Sequence, residues 1–214
     1  MNKPISDLRQ DYTKSELTES NIQPNPINQF VDWFEAARHS GVLEPNAMTL
    51  STIDENGHPK SRIVLLKEVE NETFVFYTNY ESAKGNHIKN HPVVALTFWW
   101  DKMERQVNIS GSIEKVTREQ AEKYFHSRPV GSQIGAWVSH QSSIVPNREF
   151  LENKLTDLTK QFEGKTVPLP DYWGGYRVIP ATIEFWQGRT NRLHDRIRYT
   201  KIKNDEWKIE RLSP

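Results

Sequence analysis

The chain contains no cysteine in 214 residues. That excludes disulfides, thiol nucleophiles and cysteine-ligated zinc, and it is compatible with the cytoplasmic location expected here. Net charge is also absent, because 28 Lys and Arg balance 28 Asp and Glu. Without a basic field neither nucleic acid nor an anionic membrane is an expected partner, and any anion site must be local. No apolar run approaches the roughly 18 residues of a membrane span, and residues 1–7 lack the apolar stretch of a signal peptide. There is no Gly-rich phosphate loop, and Trp173-Gly174-Gly175 does not match the dinucleotide fingerprint, which removes a Rossmann reading. No Gly-x-Ser-x-Gly elbow is present either. His87 and His91 stand at i, i+4, but no Glu follows His87, so they read as two exposed histidines and no metal is expected.

Aromatic residues are abundant: seven Trp, seven Tyr and nine Phe. That number either fills a β core or lines a site for flat ligands. Residues 1–24 are polar and read as a mobile arm; 25–214 read as one domain. Asn25-Pro26 has the form of a helix start, Ile27, Phe30, Val31, Phe34 and Ala37 follow at helical spacing, and Gly41 closes the element. Runs of β-branched and aromatic residues predict strands over 47–53, 59–68, 73–78, 93–100, 105–116, 176–179, 182–187, 197–203 and 207–212. The first two flank Asp54-Glu55-Asn56-Gly57, a turn whose Asn-Gly favours positive φ. Helices are predicted over 82–90, from the Thr117…Gln120 capping box to about 127, and over 147–162, where Phe150, Leu151, Leu155, Leu158 and Phe162 share a face. This order predicts a mainly β fold: a mostly antiparallel sheet of about eight strands, closed as a barrel, with peripheral helices.

The densest chemistry lies at 184–196, where aromatics, a glycine, Arg189, Arg192, Arg196 and His194 crowd together. Such a set suits a pocket that stacks a flat ring and neutralises an anion, since Arg presents a planar fork to carboxylate or phosphate. A solvated hairpin with surface ion pairs is the plainer alternative. Arg62 and Lys67 bracket the apolar run Ile63-Val64-Leu65-Leu66; five apart, strict alternation sets them on opposite faces, and one ligand meets both only through a bulge or the strand's end. Tyr77-Thr78-Asn79 leads through Ser82 into Lys84, a strand end passing into a helix N-terminus that suits phosphate. Ordinary capping accounts for Ser82 but not for Lys84. Gln106, Asn108 and Ser110 share a strand face that solvent alone explains unless a ligand with donors and acceptors meets it. Tyr124 and Arg128 stand at i, i+4 with Ser132 just beyond, a trio able to hold a phosphate dianion, and Gln141-Ser142-Ser143 forms a polar loop.

Taken in order, these blocks resemble the pyridoxamine 5'-phosphate oxidase family. The matching stretches are RIVLLK (62–67), Tyr77-Thr78-Asn79 with Ser82 and Lys84, ERQV (104–107), YFHSRP (124–129), SQIGAWVS (132–139), 141–143, PLP (168–170), 173–175, EFWQG (184–188) and RLHDR (192–196). The resemblance implies an FMN-binding split barrel working as a homodimer with flavin at the interface. It also implies oxidation of pyridoxamine or pyridoxine 5'-phosphate by O2 to pyridoxal 5'-phosphate, releasing H2O2, and ammonia from the amine. By that resemblance, 62–67 (Arg62, Ile63, Val64, Leu65, Leu66, Lys67), Lys84, Gln141 and Ser142 bind FMN, its phosphate chiefly through the cations. Tyr77, Thr78, Gln106, Trp186 and Arg196 complete the flavin shell. Lys67, Tyr124, Arg128 and Ser132 hold the substrate phosphate; Arg192, Leu193 and His194 meet the substrate, with Arg192 and His194 flanking its ring at the reacting carbon. Arg9 and Tyr12 belong to an N-terminal segment that folds over the site.

One departure concerns FMN affinity. The family often has Ser-Arg-Lys where this chain has Ser82-Ala83-Lys84, leaving Arg62, Lys84 and, without family warrant, Lys89 as the cations at hand. Competing readings are another flavin enzyme on the same barrel, a non-catalytic carrier of pyridoxal phosphate or FMN, and an OB-like nucleic-acid binder, which the zero net charge disfavours.

Overall fold

The computed structural model describes residues 4–8, 10–203 and 206–214, and divides into two compact units: 1–50, 95–111 and 180–214 form one, 51–94 and 112–179 the other. The strands are β1 (Ala47–Ile53), β2 (Pro59–Leu65), β3 (Glu68–Glu70), β4 (Thr73–Asn79), β5 (Val93–Trp100), β6 (Arg105–Lys115), β7 (Trp173–Gln187), β8 (Asp195–Lys201) and β9 (Trp207–Arg211). They hydrogen-bond in the order β2-β1-β5-β6-β7-β4-β3, with β8 on β7 and β9 on β8. The helices are α1 (Pro26–His39), α2 (Ala83–Asn90), α3 (Arg118–Ser127), α4 (Val130–Val138) and α5 (Arg148–Gln161). No helix of the described residues is long and apolar enough to cross a membrane.

The first unit is built around aromatic packing. Asn25 caps α1 by accepting from Ile27 N at 2.7 Å, and Pro26 occupies the first turn. The face so started buries Phe30, Trp33 and Ala37. Trp33 takes the inward position expected for Val31, which is 43 % exposed. Phe30 meets Phe98 edge-on at 5.1 Å and Trp33 meets Phe185 at 5.2 Å. Each such ring contributes about 2–3 kcal/mol by leaving water. Two polar tips find partners: Trp100 Nε1 donates to Pro45 O and Tyr199 Oη to Gln23 O. Along 10–24, Thr13 N and Lys14 N donate to the Glu104 carboxylate, Leu17 is buried, and Glu19 pairs with Arg211.

In the second unit, Phe74, Phe76 and Val178 are buried on β4 and β7, and Phe125, Ile134, Val138, Val167 and Trp173 form a further cluster. Leu151, Leu158 and Phe162 pack on that cluster from α5 and its end, whereas Phe150 and Leu155 are 46 % and 42 % exposed, so only part of the predicted α5 face is covered. The turn between β1 and β2 is closed by Asp54, whose Oδ1 accepts from Asn56 N and His58 N, and Gly57 supplies the positive φ of 79°.

Four expectations are corrected. The strand expected over 59–68 stops at Leu65, because Leu66 turns into the core and Lys67 N bonds Val75 O at 2.8 Å. The strands expected at 176–179 and 182–187 are one strand, β7. Its partner β4 runs out at Val178 and its partner β8 begins at Thr182, so Pro180 falls between the two ladders, where a missing N–H costs little. Helix α4 was absent from the sequence reading, because Gly131 and Gly135 lower helix propensity and mask its pattern. His87 and His91 are half-buried rather than exposed, and His87 Nδ1 lies 3.0 Å from Thr52 Oγ1.

Candidate functional site

The second unit contains a cavity of about 950 Å³ lined by the ends of β2 and β4, the start of α2, the end of α3, one face of α4 and the 139–142 loop. That volume is in the range of cofactor and drug-sized ligands. The break after Leu65 is what lets Arg62, Ile63, Val64, Leu65 and Lys67 line it together. Alternation alone set Arg62 and Lys67 apart; the end of the strand reunites them. Leu66, between them, is buried in the core and does not line the cavity.

Cations define the chemistry. Ser82 caps α2, with its Oγ accepting from Gly85 N, and Lys84, two residues on in the first turn, is buried. The buried Lys84 ammonium donates to Gln141 Oε1 at 2.7 Å, Thr78 Oγ1 at 3.2 Å and Ser82 Oγ at 3.3 Å. All three acceptors are neutral. Burial, and then the charge of Arg62, push the Lys84 pKa down to about 8. Arg62 is half-buried, and desolvation lowers its pKa as well. Ser142, at φ 75°, accepts from Ala83 N through its Oγ. Thr78 Oγ1 donates to Gln141 Oε1.

A second group follows from the junction of α3 and α4. Arg128 leaves α3 in an extended conformation, and Pro129 starts α4, so Tyr124, Arg128 and Ser132 all line the cavity although they come from two helices and their junction. Arg128 Nη2 donates to Ser132 O at 2.8 Å, and the guanidinium lies 4.7 Å from the Trp173 ring centroid. Its Nη1 is buried and makes no hydrogen bond among the described residues. A buried guanidinium nitrogen left unsatisfied costs stability unless an acceptor arrives. Anionic ligand oxygens therefore suit this set of residues.

Three rings form one wall. Tyr77 stacks on Tyr124 at 3.8 Å between centroids, and Trp173 lies near-parallel to both, at 5.7 and 6.2 Å. Tyr77 Oη donates to Glu68 Oε1 at 2.9 Å, and burial with that carboxylate pushes its pKa far up, so the phenol stays neutral. The opposite requirement, room, is met on α4, where Ser132, Gly135, Ala136 and Ser139 are small.

The other expected site residues lie in the first unit. Trp186 packs on His194 at 4.6 Å, and Tyr12 sets its edge against both, at 5.7 and 5.8 Å. The Tyr12 ring lies so close to Gly188 that a Cβ there would overlap it. His194 Nδ1 accepts from Arg189 N at 3.1 Å, so the ring's remaining proton sits on Nε2. Burial and the nearby Arg192 lower the His194 pKa, against a smaller opposing effect of Asp195. The imidazole is therefore neutral at pH 7 and a donor at Nε2. Asn191 and Arg192 have φ of 54° and 60°, two successive left-handed non-glycine residues. Strain of that kind is kept where the surroundings or a ligand demand it. Arg192 and Leu193 are exposed. Arg196 is held by Glu184 at 2.8 and 3.2 Å, and by Ser213 O. Gln106 is half-buried on β6 beside the inward Val107. Arg9 lies outside the described residues.

Sequence reasoning passed over Asn79, Pro129, Gly135, Ala136, Ser139 and Trp173 as cavity-lining residues. Trp173 was legible only as part of a Trp-Gly-Gly motif. The small residues carry no signal, because what they contribute is space.

With this geometry established, comparison with known proteins is specific. Residues 34–162 match the family model described as pyridoxamine 5'-phosphate oxidase, and 173–214 match the pyridoxine 5'-phosphate oxidase C-terminal dimerisation region. The pyridoxine/pyridoxamine 5'-phosphate oxidase of Gloeothece citriformis (strain PCC 7424) is 52 % identical over 214 residues, covering all of both chains. Among solved structures, PhzG from Burkholderia lata 383, in complex with tetrahydrophenazine-1-carboxylic acid, superposes with a TM-score of 0.86 at 28 % identity, covering 92 % of this chain and 98 % of that one. A pyridoxamine 5'-phosphate oxidase-related, FMN-binding protein from Nostoc punctiforme PCC 73102 superposes with a TM-score of 0.72 over 90 % of this chain and 100 % of its own; at 14 % identity it speaks for the fold alone. The mainly antiparallel sheet with peripheral helices is the split-barrel fold expected from the sequence. The chain belongs to the pyridoxamine 5'-phosphate oxidase family.

Proposed function

We propose that this chain is an FMN-dependent oxidase that converts pyridoxamine or pyridoxine 5'-phosphate to pyridoxal 5'-phosphate. O2 is the final acceptor and is released as H2O2, and the amine also yields ammonia. The observation that carries the reading is the buried, unpartnered Arg128 Nη1 in a cavity that also holds the buried Lys84. One cavity with two cationic groups and a ring wall suits two phosphorylated flat molecules. Full-length identity to enzymes bearing that name supports it further. The family's dimerisation region at 173–214 supports a homodimer, with flavin at the interface. A cytoplasmic site of action completes the reading.

In this reading Arg62, Lys84, Gln141 and Ser142 take the FMN phosphate, and Ile63, Val64, Leu65, Tyr77 and Thr78 line the flavin. Gln106, Trp186 and Arg196 complete its shell. Lys67, Tyr124, Arg128 and Ser132 take the substrate phosphate, and Arg9 and Tyr12 cover the substrate. Bound FMN supplies the hydride acceptor, so the chain needs no strong nucleophile and its task is orientation and charge. Arg192 serves as a fixed positive charge beside the substrate ring. His194 has Nδ1 engaged by Arg189 N, so it acts as a neutral Nε2 donor and not as a base at that atom. Leu193 contributes apolar contact.

Anaerobic mixing of the FMN-loaded protein with pyridoxine 5'-phosphate tests the function, with flavin absorbance followed near ~450 nm, the usual probe of this cofactor. Bleaching that recovers in air with release of pyridoxal 5'-phosphate is the expected result. A spectrum unmoved by either phosphorylated vitamer would overturn the assignment of substrate. Arg128→Ala is expected to raise KM about 10- to 30-fold, the loss of one charge-assisted hydrogen bond, with FMN affinity little changed; an unaltered KM counts against the substrate-phosphate role. Arg192→Ala and His194→Ala are each expected to slow flavin reduction at least about tenfold while FMN stays bound. Parallel loss of FMN from both variants would remove them from the reacting centre.

A further inference from the structure

One hydroxyl behind the cavity wall has a role that the site itself does not explain. Thr52, on β1, is 2 % exposed, and its Oγ1 is the meeting point of three groups: Arg62 Nη1 at 2.6 Å, His87 Nδ1 at 3.0 Å and Lys60 O at 3.4 Å. A guanidinium can only donate, so Thr52 Oγ1 accepts from Arg62. The single hydroxyl proton is then directed to Lys60 O or to His87 Nδ1, according to the tautomer of His87. The order of the chain is thus Arg62 to Thr52 to His87, from the cavity wall to the second turn of α2. Lys84 stands one turn before His87 on the same short helix, and burial, with the charge of Arg62 second, lowers its pKa. Two like charges facing one cavity repel. Thr52 holds one arm of the fork, and the contact with His87 Nδ1 fixes the position of the Thr52 hydroxyl.

We propose that Thr52 and His87 are positioning residues that hold Arg62 beside Lys84, and so raise the affinity of the cavity for a phosphate. The inference rests on the FMN reading of the cavity. Neither residue touches the ligand; both act through Arg62.

The test is equilibrium binding of FMN and of riboflavin, which lacks the phosphate, to the flavin-free full chain, read by flavin fluorescence. Thr52→Val keeps the shape and removes the hydroxyl. It is expected to weaken FMN about fivefold, the worth of one hydrogen bond, and to leave riboflavin unchanged. Thr52→Ser is expected to restore wild-type binding. His87→Ala, on a half-exposed helix position that tolerates truncation, is expected to weaken FMN by a smaller factor. In an Arg62→Ala background, Thr52→Val is expected to add nothing, because its effect passes through the missing guanidinium. FMN binding by both Thr52→Val and His87→Ala equal to wild type, an equal loss for riboflavin, or full additivity with Arg62→Ala would each overturn the proposal. If Arg62→Ala alone loses FMN preference while the Thr52 and His87 variants keep it, the site reading stands and this inference falls. A wild-type chain with no preference for FMN over riboflavin overturns both.

Discussion

Lys84→Met is expected to weaken FMN binding about 30- to 100-fold, the roughly 2–3 kcal/mol of a charged hydrogen bond in a desolvated site. Lys84 and Arg62 are the cations that line this part of the cavity, so in this reading they carry the phosphate's charge. The pH dependence carries the sign. The buried ammonium has its pKa pushed down to about 8 in the free protein, from an ordinary 10.5. Below about 8 it is charged and the phosphate meets a cation. Above about 8 the free protein has lost that proton, and FMN must draw it back on binding. The dissociation constant should be flat below pH 8 and rise by up to about tenfold per unit above it. Stability of the flavin-free chain moves the other way. Between about 8 and 10.5 the unfolded chain holds the proton that the folded chain has released, so this residue's contribution to stability increases with pH across that window. Lys84→Met should abolish both slopes. Titration of FMN into wild type and variant from pH 7 to 10 checks this, and a Kd changed by less than threefold would mean that Lys84 does not face the phosphate.

Gly85→Ala is expected to cost about 3 kcal/mol of stability, lowering the melting temperature by roughly 6–12 °C for a chain of about 200 residues. A Cβ on Gly85 would overlap the carbonyl of Tyr80, a backbone atom. Tyr80 cannot yield easily: its N donates to Tyr172 O at 2.7 Å and its Oη to Gly175 O at 3.0 Å. The strain would therefore fall on α2, whose Ser82 cap and Lys84 both serve the cavity, so FMN affinity should fall with stability. Gly135→Ala is the contrast. Its Cβ would meet nothing within 4 Å, and a helical Gly→Ala change favours the helix by up to about 1 kcal/mol. Equal melting of Gly85→Ala and wild type, by calorimetry, would show that the 80–85 turn relaxes.

Both predictions turn on how short-range chemistry is placed by longer-range packing. Ser82 as a cap was readable because a serine before a helical run has one common use, and it does cap. Tyr124, Arg128 and Ser132 were readable as a trio from spacing, although the reason differs: helix α3 ends at Ser127 and a new helix brings Ser132 back to the cavity. For Arg62 and Lys67 local reading left two outcomes, opposite faces by strict alternation or one ligand met at a bulge or the strand's end. Alternation separates residues five apart, and only the departure of Leu66 into the core brings the pair to one cavity.

By itself the sequence determined the class of fold, most element boundaries and the residue types that carry charge to the site. Those follow from local propensity, capping and period, which act over a few neighbours. The tertiary structure decided the rest: that β2 ends at Leu65, that β7 runs through Pro180, that Lys84 is buried among three neutral oxygens, and that Thr52 stands behind Arg62. Each of these depends on partners distant in the chain, because burial and hydrogen-bond satisfaction are properties of the packed whole and no window of sequence contains them.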